Sequence, residues 1–274
     1  LVAREMRDVL GVEHVWLMSS GRAALTVVLR ALQRLSPCRR VIVPAYTCYS
    51  VPAAVARAGL ELAPCDIDPD TLDFDFGQLE RLLTASPALC AVPTHMFGLP
   101  ADVERTRQLC RNTGTFIVED AAQAFGFARN GQWLGTLADV GIFSFGRGKA
   151  VSAGEGGAIV ARSGEIAAAI DRECNAVPAS PVHHGWRVLV EAGVISALIR
   201  PWLYGIPARM PFLGLGETKY SADFPIERLS GIQAGLLRSW PRRAAVLNEA
   251  RAARIARLAG AGAPLVAPGA LCLR

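Results

Sequence analysis

Lysine is nearly missing from this chain: of its 29 basic residues only Lys149 and Lys219 are lysine, and the others are arginine. Arginine therefore carries the surface charge. A lysine kept against that bias invites a chemical reading, because an amine can lose its proton and attack a carbonyl whereas a guanidinium cannot. The bland alternative is an incidental survivor. Long apolar runs are lacking too. In the irregular segment after residue 176 the uncharged apolar run "AGVISALI" falls far short of the ~20 residues a bilayer-crossing helix needs, so no transmembrane span is expected. No basic run exceeds two or three residues, and 24 acidic residues are interspersed under a net charge of +5. That balance suits anionic small ligands and argues against nucleic acid as a partner. The seven cysteines (38, 48, 65, 90, 110, 174 and 272) form no CxxC pair and are odd in number. Reduced thiols in a cytoplasmic protein fit that pattern, whereas a disulfide framework or a zinc site does not. No signal peptide, repeat or low-complexity tract is visible. The chain opens "LVAREMRDVLGVEHVW" without an initiator methionine and stops after "PLVAPGALCLR". It is therefore expected to be a piece of a longer polypeptide.

With 274 residues, 51% of them hydrophobic and 19% charged, the chain can form one large domain or one plus part of a second. Through residue 176, short β-branched runs alternate with helical patterns. "HVWLM" (14–18) precedes a helix from about Arg22, "RVIVPA" (40–45) precedes "VPAAVARAG", and "LELAPCDI" (60–67) precedes "FGQLERLLTA". "ALCAVPT" (88–94) precedes "ADVERTRQLCRNTG", and "TFIVED" (115–120), "DVGIFSF" (139–145) and "GGAIVA" (156–161) complete the set. Such alternation predicts an α/β domain with a mostly parallel sheet between helices and ligands beyond the carboxyl ends of the strands. Residues 177–226 are apolar, proline-punctuated and irregular. They are expected to be an insertion that either faces a membrane or caps a substrate, or else packs as a buried or interface hairpin. Residues 227–274 read as long helices interrupted at Pro241.

Candidate chemistry falls at the strand ends. Asp120, closing "TFIVED", is either a helix N-cap or a buried anion able to hold a proton on a ligand's ring nitrogen. Gln123 stands three residues on. "SSGRAAL" (19–25) opens a helix after the first strand, and its free N–H groups suit a phosphate. Ser144, five residues before Lys149, either adds a hydroxyl to that phosphate or is an ordinary strand serine. The glycine-rich "FSFGRGKAVSAGEGGAIV" (143–160) is not a nucleotide loop. A Walker motif would need Gly at Phe143 and Ser or Thr at Ala150, and the dinucleotide pattern fails at Val151. "DIDPDTLDFD" (66–75) lacks the Gly and Glu of a calcium loop, at Thr71 and Gly77, and reads as a solvated turn. His183 and His184 have no partner cluster in sequence and read as loop residues.

The order of these features, a phosphate-binding helix start, an Asp at a mid-sheet strand end, then Ser-x-x-x-x-Lys among glycines, resembles that of pyridoxal-phosphate enzymes of the aspartate aminotransferase fold. More narrowly, the chain resembles the DegT/DnrJ/EryC1/StrS family of sugar aminotransferases. The resemblance is carried by "SSGRAAL", "VPAYTCYSVPAAVARAG" (43–59), "CDIDPDTLDFD" (65–75), "THMFGLPADV" (94–103), "VEDAAQAFG" (118–126), "GTLADVGIFSF" (135–145), "GKAVSAGEGGAIV" (148–160) and "RLSGIQAGLL" (228–237). It implies a fold type I large domain over 1–176 and, over 227–274, the helical start of a small C-terminal domain that is largely missing.

The resemblance also implies a cofactor, pyridoxal 5'-phosphate, held covalently by Lys149, which shuttles the reaction's proton, with its ring nitrogen kept protonated by Asp120. Ser20, Gly21, Arg22 and Ser144 would take the phosphate. His95 and Gln123 would lie by the ring, and Cys48 or Tyr49 would stand where relatives stack an aromatic residue on it. Lysine rather than histidine at 149 implies transamination rather than dehydration. The expected substrate is a nucleotide-linked keto sugar with glutamate as amino donor, in polysaccharide or glycoconjugate synthesis by a homodimer with a shared active site. The alternatives are a non-sugar cyclic ketone as substrate, or a protein that holds the cofactor without catalysis. Three departures from the family pattern are visible. Cys48 replaces the stacking aromatic, Ile226 falls where relatives carry an asparagine reaching across the dimer, and Gly146-Arg147-Gly148 replaces the usual Tyr-Pro-Thr.

Overall fold

The β-branched runs become the core of a seven-stranded sheet in a computed structural model that describes residues 1–162, 164–198 and 220–260. The strands are β1 His14–Met18, β2 Arg40–Pro44, β3 Glu61–Cys65, β4 Cys90–Ala91, β5 Phe116–Asp120, β8 Val140–Ser144 and β9 Gly157–Ala161, with a small hairpin of β6 Ala128–Arg129 and β7 Gln132–Trp133. Their spatial order is β1-β9-β8-β5-β4-β2-β3. The run β3, β2, β4, β5, β8 is parallel, and β9 is antiparallel to both of its neighbours. The inner parallel strands are buried on both faces, which is why β2, β4 and β8 are apolar almost without interruption, whereas the edge strand β3 is largely exposed.

Helices α1 Val2–Leu10, α2 Gly21–Gln33, α3 Ser50–Arg57, α4 Phe76–Ala85, α5 Val103–Cys110 and α6 Gly164–Ala176 cover the sheet. On one face α2 fills the centre: nine of its residues are buried, among them Leu25, Val28, Leu29 and Leu32, against Val118, Val140, Ile142 and Ile159. On the other face an aromatic group dominates. Phe125 meets Phe143 and Phe145 edge-on, with centroids 5.0 Å apart in each case, and Trp240 at 4.4 Å. Edge contacts of this kind contribute about 0.5–1.5 kcal/mol each beyond area burial. They tie the turn after Asp120 to the strand end that carries Ser144.

The later chain departs from the expected pattern. The irregular segment contains a 17-residue helix, α7 Val182–Leu198. The prolines that punctuate it stand outside this run, and Pro181 precedes the first helical residue, where proline is tolerated. Residues 199–219, which include Lys219, and residues 261–274 lie outside the described residues. After Tyr220 the chain returns to the sheet edge, where Ser19 N–H donates to the Glu227 carbonyl and Leu229 N–H to the Leu17 carbonyl. Two further helices follow, α8 Gly231–Leu236 and α9 Trp240–Gly260. Pro241 is the second residue of α9 and begins a helix instead of breaking one. Trp240 is fully buried against Phe125.

The acidic turn is only partly solvated. Asp68 does cap exposed N–H groups at Asp70 and Thr71. Asp73, by contrast, is buried and accepts from Phe74 N–H at 2.8 Å and Asp102 N–H at 2.6 Å. Its carboxyl is pushed above the ordinary range by burial, against those two hydrogen bonds. Asp73 is therefore a joint between the turn and the start of α5.

Candidate functional site

A cavity of about 610 Å³ opens at the carboxyl ends of β1, β2, β5 and β8, where a mostly parallel sheet should place it. The sequence candidates Ser20, Gly21, Arg22, Cys48, Tyr49, Asp120, Gln123, Ser144 and Lys149 all line it.

One end is built for an anion. Ser20 is the N-cap of α2, its hydroxyl oxygen accepting Ala23 N–H at 3.1 Å. Its own O–H remains to donate outward. The first N–H groups of the 13-residue helix, those of Gly21 and Arg22, have no intrahelical partner and carry the positive end of the helix dipole. Gly21 is needed for the approach, since a Cβ there would stand 3.0 Å from the Ser144 Cβ. Gly157 on β9 is needed as well, because a Cβ would fall 2.6 Å from the Ser20 carbonyl oxygen and 2.7 Å from Gly21 N. Helix start, Ser144 hydroxyl and strand backbone thus converge without intervening side chains. The Arg22 guanidinium lies 4.7 Å over the Phe224 ring, another part of the wall.

Asp120 ends β5, the strand at the middle of the sheet. It is 5% exposed, and its carboxylate accepts Ala122 N–H at 2.9 Å. Burial pushes this carboxyl up from its ordinary value, opposed by the Ala122 hydrogen bond and by the charge of Lys149 across the cavity. Lys149 follows Gly148, whose φ of 78° turns the chain at the wall. Gln123 is anchored through its Oε1, which accepts Phe97 N–H at 3.2 Å.

His95 stands outside the cavity lining but next to Asp120, whose carbonyl accepts its backbone N–H at 3.0 Å. Its ring is fully buried behind β5, away from the cavity lining. Nδ1 accepts Ala101 N–H at 2.9 Å, and Nε2 lies 2.7 Å from Glu119 Oε1. The first contact makes Nδ1 an acceptor, so the proton sits on Nε2 and is donated to Glu119. Both ring nitrogens are used inside the protein, and the imidazole supports the strand end instead of facing a ligand.

His184 also differs from expectation. It belongs to α7 and lines the cavity, with Nδ1 3.2 Å from Ser180 Oγ and Nε2 3.3 Å from Glu155 Oε2. Thr47, Thr94, Glu155, Arg187 and Phe224 are further wall residues that sequence reasoning passed over. Thr47 had a usable signal in its place beside Cys48. The others become neighbours only through the fold.

These residues form a pocket for a molecule with an anionic group at one end and a protonatable ring facing a buried carboxylate, within reach of an amine. Thr47 Oγ1 is buried in the wall with no hydrogen-bond partner among the described residues, which marks a place for a polar ligand atom. Pyridoxal phosphate fits this donor set.

Sheet order, helix layers and this pocket define the large domain of a fold type I enzyme. The chain belongs to the DegT/DnrJ/EryC1/StrS aminotransferase family, whose model matches residues 2–180. It is 35% identical over 155 residues to 3-amino-5-hydroxybenzoate synthase of Amycolatopsis mediterranei, covering 57% of this chain and 39% of that one. It is 34% identical over 163 residues to UDP-N-acetyl-3-dehydro-alpha-D-glucosamine 3-aminotransferase of Acidithiobacillus ferrooxidans, covering 59% and 44%. A solved DegT DnrJ EryC1 StrS aminotransferase from Brucella abortus superposes with a TM-score of 0.65 at 29% identity, over 93% of this chain and 61% of that one. The chain spans about two fifths of the length of the curated relatives it matches. Among the described residues no helix is long and apolar enough to cross a membrane.

Proposed function

We propose that this protein is a pyridoxal-phosphate-dependent aminotransferase that converts a nucleotide-linked keto sugar to an amino sugar with glutamate as donor, in polysaccharide or glycoconjugate biosynthesis. The observation that carries this reading is the pairing of Lys149 with buried Asp120 across one cavity whose far end is the α2 N-terminus and Ser144. When bound, pyridoxal phosphate supplies an electron sink for the carbanion left by proton removal. Ser20, the Gly21 and Arg22 N–H groups and Ser144 bind its phosphate. Asp120 would hold a proton on the ring nitrogen, and Lys149 Nζ would hold the cofactor and move the substrate proton. The sugar is supported by a relative whose name specifies a nucleotide-linked amino sugar. The other named relative makes an aminohydroxybenzoate, so a non-sugar cyclic ketone is the second reading.

A homodimer that shares this site, in a reducing cytoplasmic setting, belongs to the same proposal. It is supported by the exposed stripe Val182, Trp186, Val190 and Val194 beside the cavity and by six unpaired cysteines among the described residues. We likewise propose that residues 1–176 form the cofactor-binding domain, and that residues 227–248, which pack on it through Trp240, be counted with it.

The test is to incubate the protein with pyridoxal phosphate, reduce with borohydride and map the added mass. Mass on the Lys149 peptide is expected, and its absence there overturns the reading. Lys149→Ala is expected to lose the glutamate half-reaction by at least about 10²–10⁴-fold, the usual weight of a positioned acid–base group. Offering the loaded amine form a nucleotide keto sugar and a cyclic ketone then separates the two substrate readings.

A further inference from the structure

Helix α7 lies against the glycine-rich stretch that carries Lys149, and the two are joined at three points. Arg147 Nη2 is 2.5 Å from Glu191 Oε2. Gly154, with φ 77°, presses its backbone on buried Val188, where an added Cβ would fall 2.5 Å from Val188 Cγ1. The third is a close approach without a hydrogen bond, Glu155 Oε2 standing 3.3 Å from His184 Nε2, while His184 Nδ1 lies 3.2 Å from Ser180 Oγ. His184, Val188 and Glu191 are spaced four and three residues apart and so share one face of the helix. The joints bracket Lys149: one stands two residues before it, and the others five and six residues after.

We propose that α7 is a positioning element for Lys149, fixing both ends of its loop and so the direction in which Nζ points toward Asp120. The proposal rests on the role given to Lys149 above. The physical need is plain. Gly146 and Gly148 on either side of Arg147 leave the loop with more backbone freedom than any other residue type would, and that freedom must be removed before the amine has a defined reach. A loop tethered in the folded protein has lost it in advance. Arg147, which replaces part of the family's usual motif, acts in this scheme as a strap across α7. Glu191 is the informative residue: it stands outside the cavity wall and pairs with Arg147 and, at 3.8 Å, with Arg187 of its own helix.

The experiment uses Glu191→Gln, Gly154→Ala and the double variant Gly154→Ala/Val188→Ala, with two readouts. The first is amide hydrogen exchange over residues 146–156 in cofactor-free protein. The second is the rate and affinity of pyridoxal phosphate attachment, followed by absorbance of the bound cofactor. Glu191→Gln is expected to speed exchange and slow attachment by about three- to fivefold each, the scale of a partly exposed ion pair. Gly154→Ala is expected to have a larger effect on both, and trimming Val188 to recover part of it. Unchanged exchange would show that α7 does not hold the loop. Faster exchange with unaltered attachment would show a tether without a positioning role. Either result overturns the proposal. Wild-type protein that takes up no cofactor overturns the aminotransferase reading itself, and the positioning role falls with it; the failure of the unaltered protein distinguishes that case.

Discussion

Glu119 and Asp120 are adjacent, acidic and buried, yet they occupy opposite sides of the end of one strand and have opposite fates. On the scaffold side Glu119 accepts four hydrogen bonds: Gly135 N–H at 2.6 Å and His95 Nε2–H at 2.7 Å on one oxygen, Leu137 N–H at 2.7 Å and Ala138 N–H at 3.1 Å on the other. A carboxylate so surrounded has its acceptor positions filled without a ligand. On the cavity side Asp120 takes one backbone N–H, from Ala122, and its burial disfavours the charge it carries. Successive strand residues point to opposite faces, so a single dipeptide can deliver both environments. A buried carboxylate that the protein has satisfied is architecture. One buried beside a cavity, its charge disfavoured by burial, suits a ligand that brings a proton or a positive charge.

The largest effect should come from breaking the scaffold side. Glu119→Ala leaves His95 and three backbone N–H groups without their acceptor and is expected to cost about 3–5 kcal/mol, the scale of a broken buried charge network. Denaturant unfolding would register this as a drop in midpoint.

Asp120→Asn should act in the other direction on stability while damaging function. The folded carboxyl titrates above its unfolded value, so the folded cofactor-free chain binds a proton more readily. The stability tied to that proton is present in acid and lost as pH rises through the folded value. Removing the charge is therefore expected to raise the cofactor-free Tm near neutral pH by about 2–4 °C, what 1 kcal/mol yields in a domain of this size. The gain should vanish when the pH falls below the ordinary aspartate range, and amination should fall sharply. A variant less stable than wild type at neutral pH would break the comparison.

The smallest effect concerns the cavity wall alone. Cys48→Phe supplies the ring that the family resemblance implies there and is expected to tighten cofactor binding about two- to tenfold, corresponding to the 0.5–1.5 kcal/mol of an aromatic stacking contact. Its unfolding midpoint should stay where it was, because Cys48 is exposed.

Much of this arrangement was legible in the residues, and the reasons differ from place to place. β1 and α4 coincide with the quoted runs "HVWLM" and "FGQLERLLTA", because apolar periodicity and the Asp75 cap mark them locally. β4 shrank from seven expected residues to two, since its pairing partners on either side are what define it. The Asn130-Gly131 turn, both residues at positive φ, is a hairpin signal that was present and overlooked. Helix α7 was hidden by the prolines around it. That Ser20 would start a helix and Ser144 end a strand was readable because both follow short-range rules. The roles of His95, Glu119 and His184 were not, because each depends on a partner distant in sequence.

The corner formed by Gly21, Ser144 and Gly157 has a consequence for how the protein assembles. Its pieces come from residue 21 and from two strands more than a hundred residues later, and they touch only when β9 has paired with both β1 and β8. Closing such long loops is the slow part of forming a sheet of this connectivity. The phosphate affinity proposed for this corner therefore requires β9 to be paired on both sides. In a refolding experiment, capture of a phosphorylated ligand would time the completion of the topology.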